Sequence, residues 1–308
     1  MTVDMRDAFF ETLVHFARQD ERIVLLSADH GAFALREFET SMPERFVNVG
    51  IAEQNMIGVA AGLASSGKIV FAYGISPFVS LRVLEQLTLD VAAMQLPVSI
   101  VSVGAGFTYS TDGPTHHGLQ ELPAVMTIPG LTVLNSSDPH NTGAFVEFAI
   151  NSKRANYIRI EKGVLPNLKL DSEFSVETGF SVVKKSGRVL FISTGAIVHE
   201  LLEVLPAIEQ GIGQQVSVID LFRPSSVYGD DFLALLSNAS KIYTLEESYS
   251  NGIGQLVGSL VATNCLKIPF KMIAPESKFY YISGDRRLLR KIGKVDSASI
   301  LQTVIQDH

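Results

Sequence analysis

Gly50-Ile51-Ala52-Glu53-Gln54-Asn55-Met56 follows the strand-like Arg45-Phe46-Val47-Asn48-Val49 and runs into Ile57-Gly58-Val59-Ala60-Ala61-Gly62-Leu63-Ala64. An apolar β-prone run, a glycine and a stretch of small apolar residues read together as strand, tight turn and helix. Gly58, Ala60, Ala61, Gly62 and Ala64 carry so little side-chain bulk that this helix is expected to lie close against another backbone and to be buried. Glu53 then becomes a buried carboxylate at a helix start, which is costly unless it has a partner or holds a proton. One reading makes it a first-turn acid that answers the helix dipole and the free amides. The other makes it a functional acid.

On either side the same pattern recurs. Helical spacing from about Met5 to Arg18 (Phe9, Leu13, Phe16, Ala17) precedes a buried strand, Ile23-Val24-Leu25-Leu26-Ser27, that runs into Asp29-His30-Gly31. Further strands are expected at Phe46–Val49, Ile69–Tyr73, Val98–Val103, Leu131–Asn135 and Tyr157–Ile160. Helices are expected near Glu53–Ala64, Val79–Met94 and Pro139–Asn151. Short Val- and Ile-rich strands alternating with helices point to an α/β fold with a parallel sheet covered on both faces. Ligands in such sheets collect at the carboxyl ends of the strands. After a more polar stretch from Gly163 to Gly187, a second α/β pattern begins at Arg188–Ser193. It continues through a helix from Ile197 to Gln210, strand Val216–Ile219, a helix near Phe232–Ser237, strand Lys241–Leu245 and a helix after Gly252. The expected organisation is therefore two doubly wound domains, 1–165 and 187–308, joined by a connector at 166–186 that has room for a short hairpin.

At 308 residues and 46% hydrophobic content the chain can bury two cores. No apolar run reaches the roughly 20 residues of a membrane span, and Met1 to Asp7 carry acids where a signal peptide would need a basic segment. The single Cys265 rules out an intrachain disulfide framework and suits a reducing cytosol. A net charge of −7 leaves no basic footprint for nucleic acid or anionic lipid, so small metabolites and protein partners remain. No His/Cys/Asp/Glu cluster has metal-ligand spacing. Gly252-Ile253-Gly254 could pass for a phosphate loop, but two spaced glycines read better as a tight lead into a helix. His140 and His199 read as structural.

Asp112-Gly113-Pro114-Thr115-His116-His117-Gly118 is turn chemistry after the strand Val98–Val103. Two imidazoles on a loop at a strand's carboxyl end also suit proton transfer or polyol binding. Together with Gly50–Met56, this motif resembles the pyrimidine-binding half of the transketolase family, which includes deoxyxylulose-phosphate synthase and uses thiamine diphosphate; the likeness runs from about residue 5 to residue 260. The resemblance implies a pyrimidine-binding domain followed by a transketolase C-terminal-like domain. It implies that Glu53 hydrogen-bonds a ring nitrogen of the cofactor's aminopyrimidine and so promotes loss of the C2 proton. His116 would contact the donor and the adduct, and Asp112 a substrate hydroxyl; His117 lies beyond the motif and is left unassigned. Phe78, in Phe71-Ala72-Tyr73-Gly74-Ile75-Ser76-Pro77-Phe78, matches an aromatic that stacks on the aminopyrimidine, with core packing as the plainer alternative. The other aromatic positions fall on Ile75 and Leu81, which gives a thinner wall. Asp29 resembles an acid beside the active site, or is a strand-end turn residue. Arg6, Arg159 and Lys162 are candidates for a substrate phosphate, Lys162 the nearest match, or else solvated surface cations.

The family's metal-binding Gly-Asp-Gly segment and its Asn are missing, and the chain begins almost at the first pyrimidine-domain helix. The resemblance therefore implies one subunit of a split enzyme. A separate diphosphate-binding subunit would hold Mg2+ or Ca2+, with an α2β2 heterotetramer sharing the cofactor. The competing readings are the β subunit of a 2-oxo acid dehydrogenase and a non-catalytic assembly partner with the same fold. The Asp112-to-His116 motif favours ketol transfer. Gly104 stands where transketolases carry a further donor-binding histidine, which implies a substrate outside the ordinary sugar-phosphate pair.

Overall fold

The Val-, Ile- and Leu-rich runs of the first half form one six-stranded sheet in the computed structural model, which describes residues 2–29, 31 and 35–308. Around it the chain runs β1 (Thr2–Asp4), α1 (Met5–Ala17), β2 (Ile23–Ser27), α2 (Arg36–Ser41), β3 (Phe46–Asn48), α3 (Glu53–Ser65), β4 (Ile69–Ile75), α4 (Leu84–Gln86), β5 (Val98–Val103), α5 (Glu121–Met126), β6 (Thr132–Asn135), α6 (Pro139–Ser152), β7 (Asn156–Ile160) and β8 (Val164–Pro166). The sheet order is β3-β2-β4-β5-β7-β6 with every neighbouring pair parallel. Both faces must then be covered by helices, and β2 and β5 are buried at every residue. Phe9 and Phe10 of α1 meet Phe71 and Tyr73 of β4 edge-on, at 6.1 and 5.1 Å between ring centroids. Phe71 and Tyr73, two residues apart, project from one face of the sheet. His30, in the expected strand end, lies outside the described residues.

Two expectations for this unit are corrected. The expected helix Val79–Met94 is a 3₁₀ turn at Leu81–Val83, the single turn α4, and a π-helical stretch at Leu87–Ala92. Its buried residues Val83, Leu87 and Val91 recur every fourth position, a spacing that a wider turn keeps on one face. Burial of α3 is one-sided: Glu53, Met56, Ile57, Ala60, Ala61 and Ala64 are buried. Gly58 and Gly62 are exposed, and a Cβ on either would meet nothing within 4 Å. Small size at these two positions meets no other backbone of this chain.

The second unit follows with β9 (Ser181–Lys184), β10 (Val189–Thr194), α7 (Val198–Ile212), β11 (Val216–Asp220), α8 (Asp230–Ser237), β12 (Lys241–Glu246), α9 (Ile253–Thr263), β13 (Phe270–Ile273), α10 (Arg286–Ile292) and α11 (Ser297–Asp307). Its sheet, β13-β12-β10-β11-β9, is parallel except for β9, which runs antiparallel on β11. Alternate residues of β10 enter opposite cores. Val189 and Phe191 pack with α7 and α11, whereas Leu190 and Ile192 pack with α8 and α9. Of the connector expected at 166–186, Ser181–Lys184 is a strand of this sheet. Contacts group residues up to Ala105 and Ala124–Asn167 as one unit, Gly106–Pro123 and Leu168–His308 as the other. Among the described residues no helix is long and apolar enough to cross a membrane.

Candidate active site

Three neighbouring strands of the first unit deliver the candidate cofactor residues. Asp29 follows β2, Glu53 opens α3 just after β3, and Phe78 follows β4, so all three stand at the carboxyl end of the sheet. Asn48 organises the first two. Its side-chain oxygen accepts the amides of Asp29 at 3.1 Å and Gly50 at 2.9 Å, and its amide nitrogen donates to Asp29 Oδ1 at 3.3 Å. Asp29 is held at φ 58° and Gly50 at φ 74°, the left-handed region that Asp tolerates and Gly occupies freely. The turn at Gly50 swings the chain from β3 into α3 and brings Glu53 to the first helical position, while the Asn48 side chain ties the end of β2 alongside.

Glu53 is 2% exposed, and its Oε2 accepts Arg82 Nη1 at 2.6 Å. The same guanidinium lies over the Phe78 ring, 4.2 Å from its centroid. Gln54 Nε2 donates to the Arg82 carbonyl at 3.1 Å and fixes that backbone beside α3. Ile75 ends β4, and its carbonyl accepts the Phe78 amide at 2.9 Å. Buried Ser76 bonds Ser102 at 2.7 Å beneath that turn. Sequence reasoning missed Arg82 and Asn48; the available signal was a cation four residues beyond the one aromatic at this strand end.

Pairing of β1 with β8 brings the candidate phosphate residues into one place. Asp4 Oδ2 accepts the Gly163 amide at 3.1 Å, and its other oxygen pairs with Arg6 Nε at 3.4 Å. Lys162, next to Gly163, is exposed. Arg159 is a correction to the surface alternative: it is 1% exposed on β7 and its Nη1 donates to Asn135 Oδ1 at 3.4 Å.

In the second unit, Asp112 and His116 close successive turns, the Asp112 amide donating to the Tyr109 carbonyl at 3.2 Å and the His116 amide to the Gly113 carbonyl at 3.0 Å. Thr115 Oγ1 sits 2.9 Å from His116 Nδ1, and Tyr109 meets the His116 ring edge-on at 6.2 Å. Reciprocal Gly106–Gly118 backbone bonds of 2.7 Å clamp the loop's ends. His117 is buried, edge-on to the Phe107 ring at 5.4 Å, and lines a small pocket with Tyr249 and Tyr280. Neither of its ring nitrogens has a hydrogen bond of good geometry, and burial holds the imidazole below its usual range. The Gly252–Gly254 segment serves an internal carboxylate: Glu246 accepts the amides of Ile253 at 3.2 Å and Gly254 at 2.8 Å. Among the described residues no group of His, Cys, Asp and Glu could hold a metal ion.

A buried acid and an aromatic ring, bridged by one guanidinium, stand at the carboxyl edge of the parallel sheet, where ligands of such sheets collect. Comparison with known proteins gives the family. Residues 1–167 match the transketolase pyrimidine binding domain and residues 180–300 the transketolase C-terminal domain. The chain belongs to the transketolase family, and with it goes dependence on thiamine diphosphate. It is 33% identical over 297 residues to a 6-deoxy-6-sulfo-D-fructose transketolase subunit of Clostridium sp. strain MSTE9, across 94% of this chain and 90% of that one. It is 30% identical to one subunit of an apulose-4-phosphate transketolase of Phocaeicola vulgatus, across 98% and 96%. A solved structure described as a split gene transketolase in an inactive beta4 tetramer shares the fold at TM-score 0.83 and 24% identity, across 100% and 98% of the two chains.

The residues present fit the cofactor's aminopyrimidine. Glu53 and Phe78 already hold a planar N–C–N group, the Arg82 guanidinium, by one carboxylate hydrogen bond and one ring face.

Proposed function

We propose that this chain is the pyrimidine-binding and C-terminal subunit of a two-chain transketolase-type enzyme that transfers a two-carbon ketol unit, with Glu53 as the acid that activates the cofactor. The observation that carries this reading is the convergence of Asp29, Glu53 and Phe78 on one sheet edge, with Glu53 buried beside the aromatic ring. Bound thiamine diphosphate supplies a nucleophilic carbon for the transfer. Glu53 shares a proton with a nitrogen of the aminopyrimidine, and its burial keeps water from competing for that proton. Phe78 presents a ring face, and Ile75 narrows the space behind it. Asp29 borders the same edge. His116 and Asp112 hold the donor's hydroxyls, His116 being oriented by Thr115. Arg6 and Lys162, drawn together at the β1–β8 pair, receive a substrate phosphate or another anion.

A separate diphosphate-binding subunit completes the site and holds Mg2+ or Ca2+, in an α2β2 assembly in the cytoplasm. The two relatives support the split form, since both are subunits of transketolases. Exposed Cys265 suits a reducing compartment. The test is reconstitution. The pure chain is expected to bind thiamine diphosphate weakly and to lack ketol transfer, and mixing it with its diphosphate-binding partner restores both. Tight, metal-dependent binding by the pure chain would overturn the two-chain form.

A further inference from the structure

Arg82 engages both of the groups that the proposed function gives to the aminopyrimidine. Its Nη1 donates to Glu53 Oε2 at 2.6 Å while its plane lies over Phe78 at 4.2 Å. A guanidinium and an aminopyrimidine share a planar N–C–N edge and an electron-poor face, and a hydrogen bond to Glu53 suits either, accepted by the carboxylate from the guanidinium and built on a shared proton with the ring nitrogen. The Glu53 oxygen and the Phe78 ring face that Arg82 covers are closed to the aminopyrimidine while Arg82 is there. We propose that Arg82 is a built-in stand-in for the aminopyrimidine, which neutralises Glu53 in the cofactor-free subunit and must leave for the cofactor to enter. This inference rests on the reading of Glu53 and Phe78 as cofactor residues.

Burial explains why a stand-in is useful. Glu53, 2% exposed, cannot turn to water, and a buried charge without a counter-ion is strongly destabilising. Arg82 is the mobile partner of the two. Its side chain is 42% exposed, so on release the guanidinium regains water at little cost, whereas Glu53 would pass directly from one partner to the next. Its backbone stays tethered by Gln54, so the movement is one of side-chain rotation. Leu81 beside it, at 37% exposure, adds no second aromatic face to hold either occupant. Affinity for the cofactor is then reduced by the fraction of time that Arg82 occupies the place.

The test is calorimetric titration of thiamine diphosphate with Mg2+ into the complex of this chain and its diphosphate-binding partner subunit. Arg82→Ala is expected to tighten binding about tenfold or more, the gain expected when a place occupied more than nine-tenths of the time is freed. The cofactor-free Arg82→Ala chain melts lower than the parent, and the cofactor recovers more of its melting temperature. Arg82→Lys keeps a cation for Glu53 but loses the planar group over Phe78, and is expected to bind between the two. Unchanged or weaker binding in both variants overturns the stand-in. Glu53→Ala and Phe78→Ala separate the two levels of the argument. If either weakens binding while Arg82→Ala does not tighten it, only the stand-in falls; if neither weakens it, the assignment of the site falls as well.

Discussion

Glu247 accepts the backbone amide of Phe107 at 2.9 Å, and so ties the first residues of the loop that carries Asp112 and His116 to a carboxylate at the end of β12. Glu247 is 3% exposed and is held by Arg286 at 2.8 Å and Arg290 at 2.6 Å. Gly106 must be glycine here, because a Cβ would stand 2.5 Å from Glu247 Cγ at a φ of 58°. Glu247→Ala removes the acceptor shared by Arg286, Arg290 and the buried Phe107 amide, and leaves Arg290 with Glu200 at 2.7 Å. Breaking such a pair costs about 3–5 kcal/mol, so chemical denaturation should show a loss of that size together with faster amide exchange at Phe107. A loss under about 1 kcal/mol, the value of an exposed pair, would show that the cluster is not structural.

The same carboxyl gives an acid-side signature. Burial pushes it up, but the guanidinium groups of Arg286 and Arg290 outweigh burial and hold it at about 2. The folded value lies below the unfolded one, so the stabilisation is complete above the ordinary carboxylate range and is lost as pH falls from 4.5 toward about 2. Glu247→Gln should lack that component of the acid limb while the parent shows it. Superimposable stability profiles for the two between these limits would contradict the pairing.

His117 should act in a higher window. Burial lowers its imidazole below 6.5, so the unfolded chain takes up the proton first and stability falls as pH drops below about that value. His117→Leu, which fills the pocket beside Phe107 and Tyr280 without a titrating group, is expected to flatten this slope and to leave stability near pH 8 unchanged. A slope that survives in His117→Leu would place the titration elsewhere.

The buried parallel strands were legible because each is a run of β-branched and apolar residues bounded by polar turns, and Ile23–Ser27 and Val98–Val103 stand as expected. The short edge elements were not. The strands at Thr2–Asp4 and Val164–Pro166 are three residues each, paired across the whole first half, and neither has a local pattern. The glycines of α3 mislead because small residues serve both close packing and open faces. Glu53 was legible as a buried acid, but its partner was not, since Arg82 lies 29 residues away and reaches it only through the turn after β4.

Gly104 is expected to shift donor choice. It is buried, with φ 101°, and its amide donates to the Ile160 carbonyl at 3.0 Å, so the position is built for glycine and not for the imidazole that transketolases carry there. One lost contact to a neutral hydroxyl is worth roughly 0.5–1.5 kcal/mol. The reconstituted enzyme is expected to use xylulose 5-phosphate poorly beside another ketose or 2-oxo acid donor. A donor panel that returned xylulose 5-phosphate with ribose 5-phosphate as the best pair would contradict this.

The most direct measurement is hydrogen–deuterium exchange at C2 of thiamine diphosphate in the reconstituted enzyme, parent against Glu53→Gln. Glutamine keeps the shape but cannot share a proton, and acid–base steps of this kind contribute about 10²- to 10⁴-fold. The account predicts that exchange slows by a factor in this range, with assembly of the two subunits far less affected. Exchange at the parent rate in Glu53→Gln would contradict the assignment of Glu53, and with it the proposed site.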